Sequence, residues 1–306
     1  MLTGEYVVLD GALSLALPTL YGQSLVVEPS DEPKFIWKSV DEKNIVWFEG
    51  EFGLENKMLK HLPDGQAGVQ HDNGISNRLF QILNVAKQLN PDFLSGNNGF
   101  KVESKLSFPK EWGLGSSSTL INNIANWAKV DAYQLLERTF GGSGYDIACA
   151  QHDVPITYQL TSSKGFQDNE RYISEVNFNP NFKDCLYFVY LNKKQNSMDG
   201  IERYRKNAFD RSKEISEVSA ITRKIISCQH LNDFDTLLNR HESIISKLIG
   251  MLPVKSRLFK DFEGSIKSLG AWGGDFVLVT SNVNPLPYFK NKGFETVIPF
   301  NQMLLK

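Results

Sequence analysis

Cysteine is scarce in this chain, at three in 306 residues. Cys149, Cys185 and Cys228 lie far apart and are odd in number, so the sequence encodes neither a disulfide framework nor a zinc knuckle. Three thiols in a reducing, cytoplasmic setting are the expectation. Basic excess is also missing. Lys and Arg total 33 against 35 Asp and Glu, a formal net charge of −2. Nothing there displaces counterions from a polyanion, which argues against nucleic acid as a partner. Long apolar runs are absent too. The longest, such as Cys185–Leu191, are strand-length and far too short to span a membrane. No basic segment precedes an apolar one at the start, so no signal peptide is expected.

What remains is a globular composition, 41% hydrophobic and 22% charged. Its length suggests two domains, at roughly 150 residues each. Strand-like runs are expected at Tyr6–Leu9, Leu25–Val27, Asn44–Phe48, Gly99–Ser107, Cys185–Leu191, Phe276–Thr280 and Glu295–Phe300. Helical periodicity covers Ser76–Leu89, a stretch after Gly115 that buries Leu120, Ile121, Ile124, Ala125 and Ala128, and Ala132–Phe140. It returns in Met198–Cys228, with one break, and in Phe234–Leu248; a further helix is expected to lead into Gly270. His241 falls on the apolar face of its helix and reads as a core histidine. Interleaved strands and helices predict an α+β fold. The polar stretch Thr161–Glu170 is the expected boundary, giving domains 1–165 and 166–306.

Three glycine-rich segments carry the chemistry. Pro109–Thr119 places Gly113, Leu114, Gly115, Ser116, Ser117 and Ser118 between a strand and a helix. The glycines allow close backbone approach, and the serines sit where a helix N-terminus favours an anion. A hydroxyl there can also complete the shell of a hydrated Mg²⁺. No Lys-Ser/Thr pair follows the glycines, so this is not a Walker A loop. Phe140–Ile147 sets Asp146 just after a glycine turn, on rigid backbone within reach of a hydroxyl or a metal. Leu269–Phe276 is a glycine loop entering a strand. Each segment alone is compatible with ordinary turn or cap chemistry; their joint occurrence and order say more.

Together with Leu2–Gly11, these segments resemble the motifs of the GHMP kinase superfamily, in that family's order and over nearly the whole chain. The resemblance implies a two-domain fold: an N-terminal α/β domain carrying the phosphate loop, a C-terminal ferredoxin-like domain, and an active site in the cleft between them. It implies ATP and Mg²⁺ as cofactors. Gly113–Ser118 would cradle phosphate, Ser117 and Glu137 would serve the metal, and Asp146 would meet the acceptor hydroxyl. Gly270, Ala271 and Gly273 would line the phosphate side. Glu5, Lys193, Lys194 and Ser197 are candidates for the substrate side, and Trp112 and Trp272 would border the nucleotide.

Gly142–Asp146 and the Gly-Gly-Asp ending of the third motif are most similar to phosphomevalonate kinases, with mevalonate kinases close behind. The expected reaction is therefore phosphorylation of a small acceptor bearing a carboxylate or phosphate, in isoprenoid biosynthesis. Homoserine kinase, another small-molecule kinase of the superfamily, and a non-catalytic nucleotide-binding protein are the alternatives. A homodimer is compatible with this reading. One departure stands out: the family's lysine ahead of the first motif has no counterpart after Met1.

Overall fold

The computed structural model describes residues 1–32, 34–55, 58–61, 73–96, 98–162, 169–206 and 210–305. In chain order its elements are β1 (Ser14–Ala16), β2 (Gln23–Ser30), β3 (Lys34–Val40), β4 (Val46–Glu55), β5 (Met58–His61), α1 (Asn73–Leu89), β6 (Gly99–Leu106), α2 (Ser116–Ala128), α3 (Ala132–Glu137), α4 (Tyr145–Ala150), β7 (Ile156–Ser162) and β8 (Asn169–Glu175). Then come β9 (Leu186–Tyr190), α5 (Ser197–Lys206), α6 (Ser212–Ile226), α7 (Leu231–Ile249), α8 (Val254–Leu258), β10 (Ile266–Ser268), β11 (Phe276–Thr280), α9 (Leu286–Asn291), β12 (Val297–Pro299) and α10 (Phe300–Met303). Among the described residues no helix is long and apolar enough to cross a membrane.

These elements form two compact units, neither contiguous in sequence. One comprises Tyr21–Lys110 and Gly115–Gln151. Its five-stranded sheet has the order β2-β6-β3-β4-β5, antiparallel except where β3 runs beside β6. Alternation on β3 turns Phe35 and Trp37 inward, and α1 and α2 answer with Leu79, Ile82, Leu83, Ile121 and Ile124. That apolar layer seats α2. Asn123 donates to the carbonyl of Gln23, and Thr119 Oγ1 bonds the Gln23 side chain at 2.7 Å, so the start of α2 is fixed to β2.

The other unit comprises Met1–Leu20, Glu111–Leu114 and His152–Lys306. It contains a three-stranded sheet, β1-β7-β8, and a four-stranded antiparallel sheet in the order β10-β11-β9-β12. That second order is the ferredoxin-like one, and every β11 side chain is buried. The opening segment is tied to α6 by polar bonds: Thr3 to Thr222 at 2.8 Å, Leu13 N–H to Ser219 at 3.0 Å, and Thr222 to the Leu13 carbonyl at 2.9 Å.

Two local expectations are corrected. Val7–Asp10 is a 3-10 helix, not a strand. Tyr6 (φ 63°) and Gly11 (φ 90°) bracket it with left-handed backbone, which turns the chain where the β-branched residues alone favour extension. The residues just before Gly270 form β10, not a helix, because Ile266–Ser268 pair with Val277–Val279. The expected boundary falls largely on 163–168, outside the described residues.

Candidate functional site

The central glycine motif is divided between the units: Glu111–Leu114 packs with one, Gly115–Ser118 with the other. Gly115 is the N-cap of α2, at φ 75°. No side chain caps this 13-residue helix; the Ser118 and Thr119 N–H groups bond the Gly115 carbonyl at 3.0 and 3.1 Å, and those of Ser116 and Ser117 are the ones left without a partner within the helix. Ser117 is exposed, and Ser116 and Ser118 are half-buried. Asp146 lies in the first turn of α4, which packs beside α2 and is joined to it by a 2.9 Å bond from Gln151 to Asn122. A Cβ on Gly115 would sit 3.5 Å from Asp146 Oδ1, so the carboxylate faces the glycine at the head of α2. Burial holds the Asp146 carboxyl above the usual carboxylate range, against a lowering bond from Tyr145.

Glu137 ends α3 and is exposed. Among the described residues no group of three or more His, Cys, Asp or Glu is placed to hold a metal. Among the described residues no metal site is therefore built from a full set of such side chains. Mg²⁺ does not require one, since it commonly keeps several waters and binds through one or two protein groups plus phosphate.

In the other unit the third glycine loop is gripped from several sides. Gly270 (φ 59°), Trp272 (φ 53°), Gly273 (φ 89°) and Asp275 (φ 52°) all take left-handed backbone. Tyr6 donates its hydroxyl to the Ala271 carbonyl at 2.8 Å, and Ala271 is buried. Gly270 and Gly273 stay half-exposed. The Asn192–Asn196 segment wraps the end of the loop: Asp275 N–H donates to Lys193 O at 2.6 Å, and Gln195 N–H donates to Asp275 Oδ1 at 3.1 Å. Lys193 and Lys194 are exposed beside it, while nothing of the Ser197 side chain is described.

Asp275 was not singled out as a site residue from the sequence. Its carboxylate lies where a side chain on Gly113 would go, since a Cβ there would meet Oδ1 at 2.1 Å. Gly113 also has φ 68°, so glycine is required twice over. Burial pushes the Asp275 carboxyl up to about 6, against the Gln195 bond and the Lys194 charge. The missed signal is an acid closing a run of glycines at a strand entrance.

Two expected ligand contacts are corrected. Glu5 is 3% exposed and its carboxylate is held by Lys267, so it is committed inward. Trp272 is fully buried, with Lys267 Nζ 5.9 Å from its ring. Trp112 is half-buried, edge-on to Phe276 at 5.3 Å and tilted against Tyr190 at 6.4 Å. His241 is fully buried, as a core histidine should be, and accepts from the Gly4 N–H at 3.0 Å.

The backbone is similar to that of several solved kinases. Mevalonate kinase from Methanococcus jannaschii superposes with a TM-score of 0.64 at 15% identity, over 97% of this chain and 92% of that one. Phosphomevalonate kinase from Streptococcus pneumoniae gives 0.64 at 15%, over 96% and 95%. Galactokinase from Lactococcus lactis, in complex with galactose, gives 0.61 at 13%, over 95% and 85%. The fold is thus the one these solved kinases share, over 95–97% of the chain. No protein-family model matches the sequence, and no curated protein matches it by sequence similarity.

Proposed function

We propose that the protein is a small-molecule kinase that transfers phosphate from ATP, with Mg²⁺, to an acceptor bearing a carboxylate or phosphate. Mevalonate and phosphomevalonate are the favoured acceptors. The observation that carries this reading is the carboxylate of Asp146 facing Gly115 at the uncapped head of α2. An anion-binding helix terminus and a group that can hold a hydroxyl are set side by side on rigid elements.

The residues fit the cofactor. Gly115 supplies the left-handed backbone at the head of α2, and the N–H groups of Ser116 and Ser117 in its first turn are suited to phosphate oxygens. Ser117, exposed at that turn, is suited to hydrated Mg²⁺. Bound ATP would supply the phosphoryl group. Asp146 orients the acceptor hydroxyl and takes its proton; a carboxyl raised by burial is a better base than an exposed one. Gly270 and Gly273 offer further backbone to phosphate. Lys193 and Lys194, beside the third loop, are suited to the acceptor's anionic group.

ADP release should be measured on the full chain with mevalonate, phosphomevalonate and homoserine in turn. Turnover with either of the first two supports the assignment. Turnover with homoserine alone moves the protein to another branch. Nucleotide binding with no release above background for any acceptor removes the mevalonate assignment and favours a non-catalytic nucleotide-binding protein.

A further inference from the structure

A sealed ionic cluster lies behind the third glycine loop. Lys267, on β10 and fully buried, reaches Glu5 Oε1, Glu242 Oε1 at 3.2 Å, and the carbonyl of Ser268. Glu242, on α7 and 3% exposed, also takes the Ser268 N–H and hydroxyl, each at 3.0 Å. Its bonds therefore fix the end of the strand that leads into Gly270. Next to Glu5, Tyr6 holds the Ala271 carbonyl, and the Lys267 ammonium faces the ring of Trp272. The loop is thus attached to the cluster at its entry, at its second residue and at its third.

We propose that Lys267 is a positioning residue for the loop Gly270–Asp275, acting through the ion cluster it shares with Glu5 and Glu242. Its consequence for turnover rests on the kinase reading above; its consequence for the loop does not.

The charge count makes Lys267 the keystone. Two carboxylates face one ammonium. His241 supplies no second cation, because its Nε2 accepts the Gly4 N–H and burial lowers its basicity. That nitrogen is 3.5 Å from Glu5 Oε2, which has no hydrogen-bond partner among the described residues. The groups facing the cluster are Glu5, with the Met1 amino group acting on it at longer range, His241 and Glu242 from α7, and Lys267 from β10. One carboxyl therefore shares a proton near neutrality: burial raises both, and Glu242 is pushed up to about 7. A cavity of about 280 Å³, lined by Glu242, Lys255 and Ile266 among others, adjoins the cluster.

Removing one carboxylate leaves a balanced pair, whereas removing the lysine leaves two buried acids with no cation. Amide hydrogen exchange over residues 269–276 in the full-length protein reads this directly. Lys267→Met should speed exchange there on the order of tenfold relative to the rest of the chain, and Glu5→Gln should do so by much less. The double variant Glu5→Gln/Lys267→Met should recover part of the loss. Equal loop exchange in wild type and Lys267→Met would overturn the proposal, as would a Glu5→Gln effect as large as that of Lys267→Met.

If Lys267→Met fails to fold, Glu242→Gln decides. Wild-type loop protection should step near pH 7 and the step should vanish in Glu242→Gln; an unchanged step overturns the proposal. Under the kinase reading, the Lys267 variant should raise KM for nucleotide or lower kcat without touching Asp146. A wild-type protein inactive on every acceptor would sink that reading alone, because loop exchange needs no substrate.

Discussion

Asp146 and the pair Glu5–Glu242 are all carboxyl groups raised by burial, yet their surroundings differ in kind. The pair is sealed around an internal cation, with a histidine and a tryptophan closing the space. Asp146 is half-exposed, faces a bare glycine at a helix terminus and makes no ion pair among the described residues. A perturbed acid locked in an ion pair does structural work, and one outside any ion pair, next to open backbone, can meet a ligand. Burial alone therefore does not mark a site; burial without a close ion pair does.

The largest effect should come from the unpaired acid. Asp146→Asn keeps the shape and removes the base, so phosphoryl transfer should fall by about 10²–10⁴-fold. Nucleotide affinity, measured by calorimetry, should change little. Loss of nucleotide binding instead would make Asp146 a metal or structural group and erase the contrast with the pair.

Next comes the pH dependence of the paired acids. A folded carboxyl raised from 4.5 to about 7 contributes stability that is full below 4.5 and is lost as pH climbs through 7. Denaturant unfolding of the wild type should therefore lose on the order of 3 kcal/mol over that window from this group. Glu242→Gln cannot release the proton and should flatten the curve. An identical pH profile in the variant would mean that the cluster does not hold its proton as described.

These two regions were unequally legible in the sequence. Gly113, Gly115 and Asp146 could be found because tight turns demand glycine at fixed offsets, and the elements around them follow apolar periodicity. The helices α1, α2 and α7 fall where that periodicity places them. The cluster could not be found. Glu5, Glu242 and Lys267 are far apart along the chain, and acids and lysines are expected at the surface unless a partner is known. His241 was legible from its apolar face, but the adjacent Glu242 is buried on the same helix for a reason only β10 supplies. Trp272 and Glu5 were misplaced on the ligand side for the same reason: motif position says which loop a residue belongs to, not which way its side chain turns.

Asp275 is the intermediate case, buried and raised, held by the Gln195 N–H and acted on by the Lys194 charge. Gly113→Ala drives a methyl group into its carboxylate and imposes left-handed backbone on alanine. A loss of about 1–2 kcal/mol is expected from the backbone term, with the clash adding to it. Gly113→Ala/Asp275→Ala should recover the clash and leave the backbone cost, so the two changes should be strongly non-additive in a double-mutant cycle. Additive losses would show that the two loops do not meet through Asp275.

The smallest effect is the most diagnostic for the opening contrast. A functional acid kept without a counter-ion costs the fold stability, so Asp146→Asn should be more stable than wild type by about 0.5–2 kcal/mol at pH 8. The sign follows from linkage. In the folded protein the Asp146 carboxyl titrates above its unfolded value of 3.8, so it is neutral and harmless at low pH and becomes a buried charge as pH rises. The gain should be absent below about pH 4, grow through the folded titration and then level off. For Lys267→Met the sign reverses, because there a cation is taken from acids already buried with it. If Asp146→Asn instead destabilises the protein at pH 8, the partners of the Asp146 carboxylate, Tyr145 among them, outweigh its burial in the folded state. Asp146 would then belong with Glu5 and Glu242 as a structural acid.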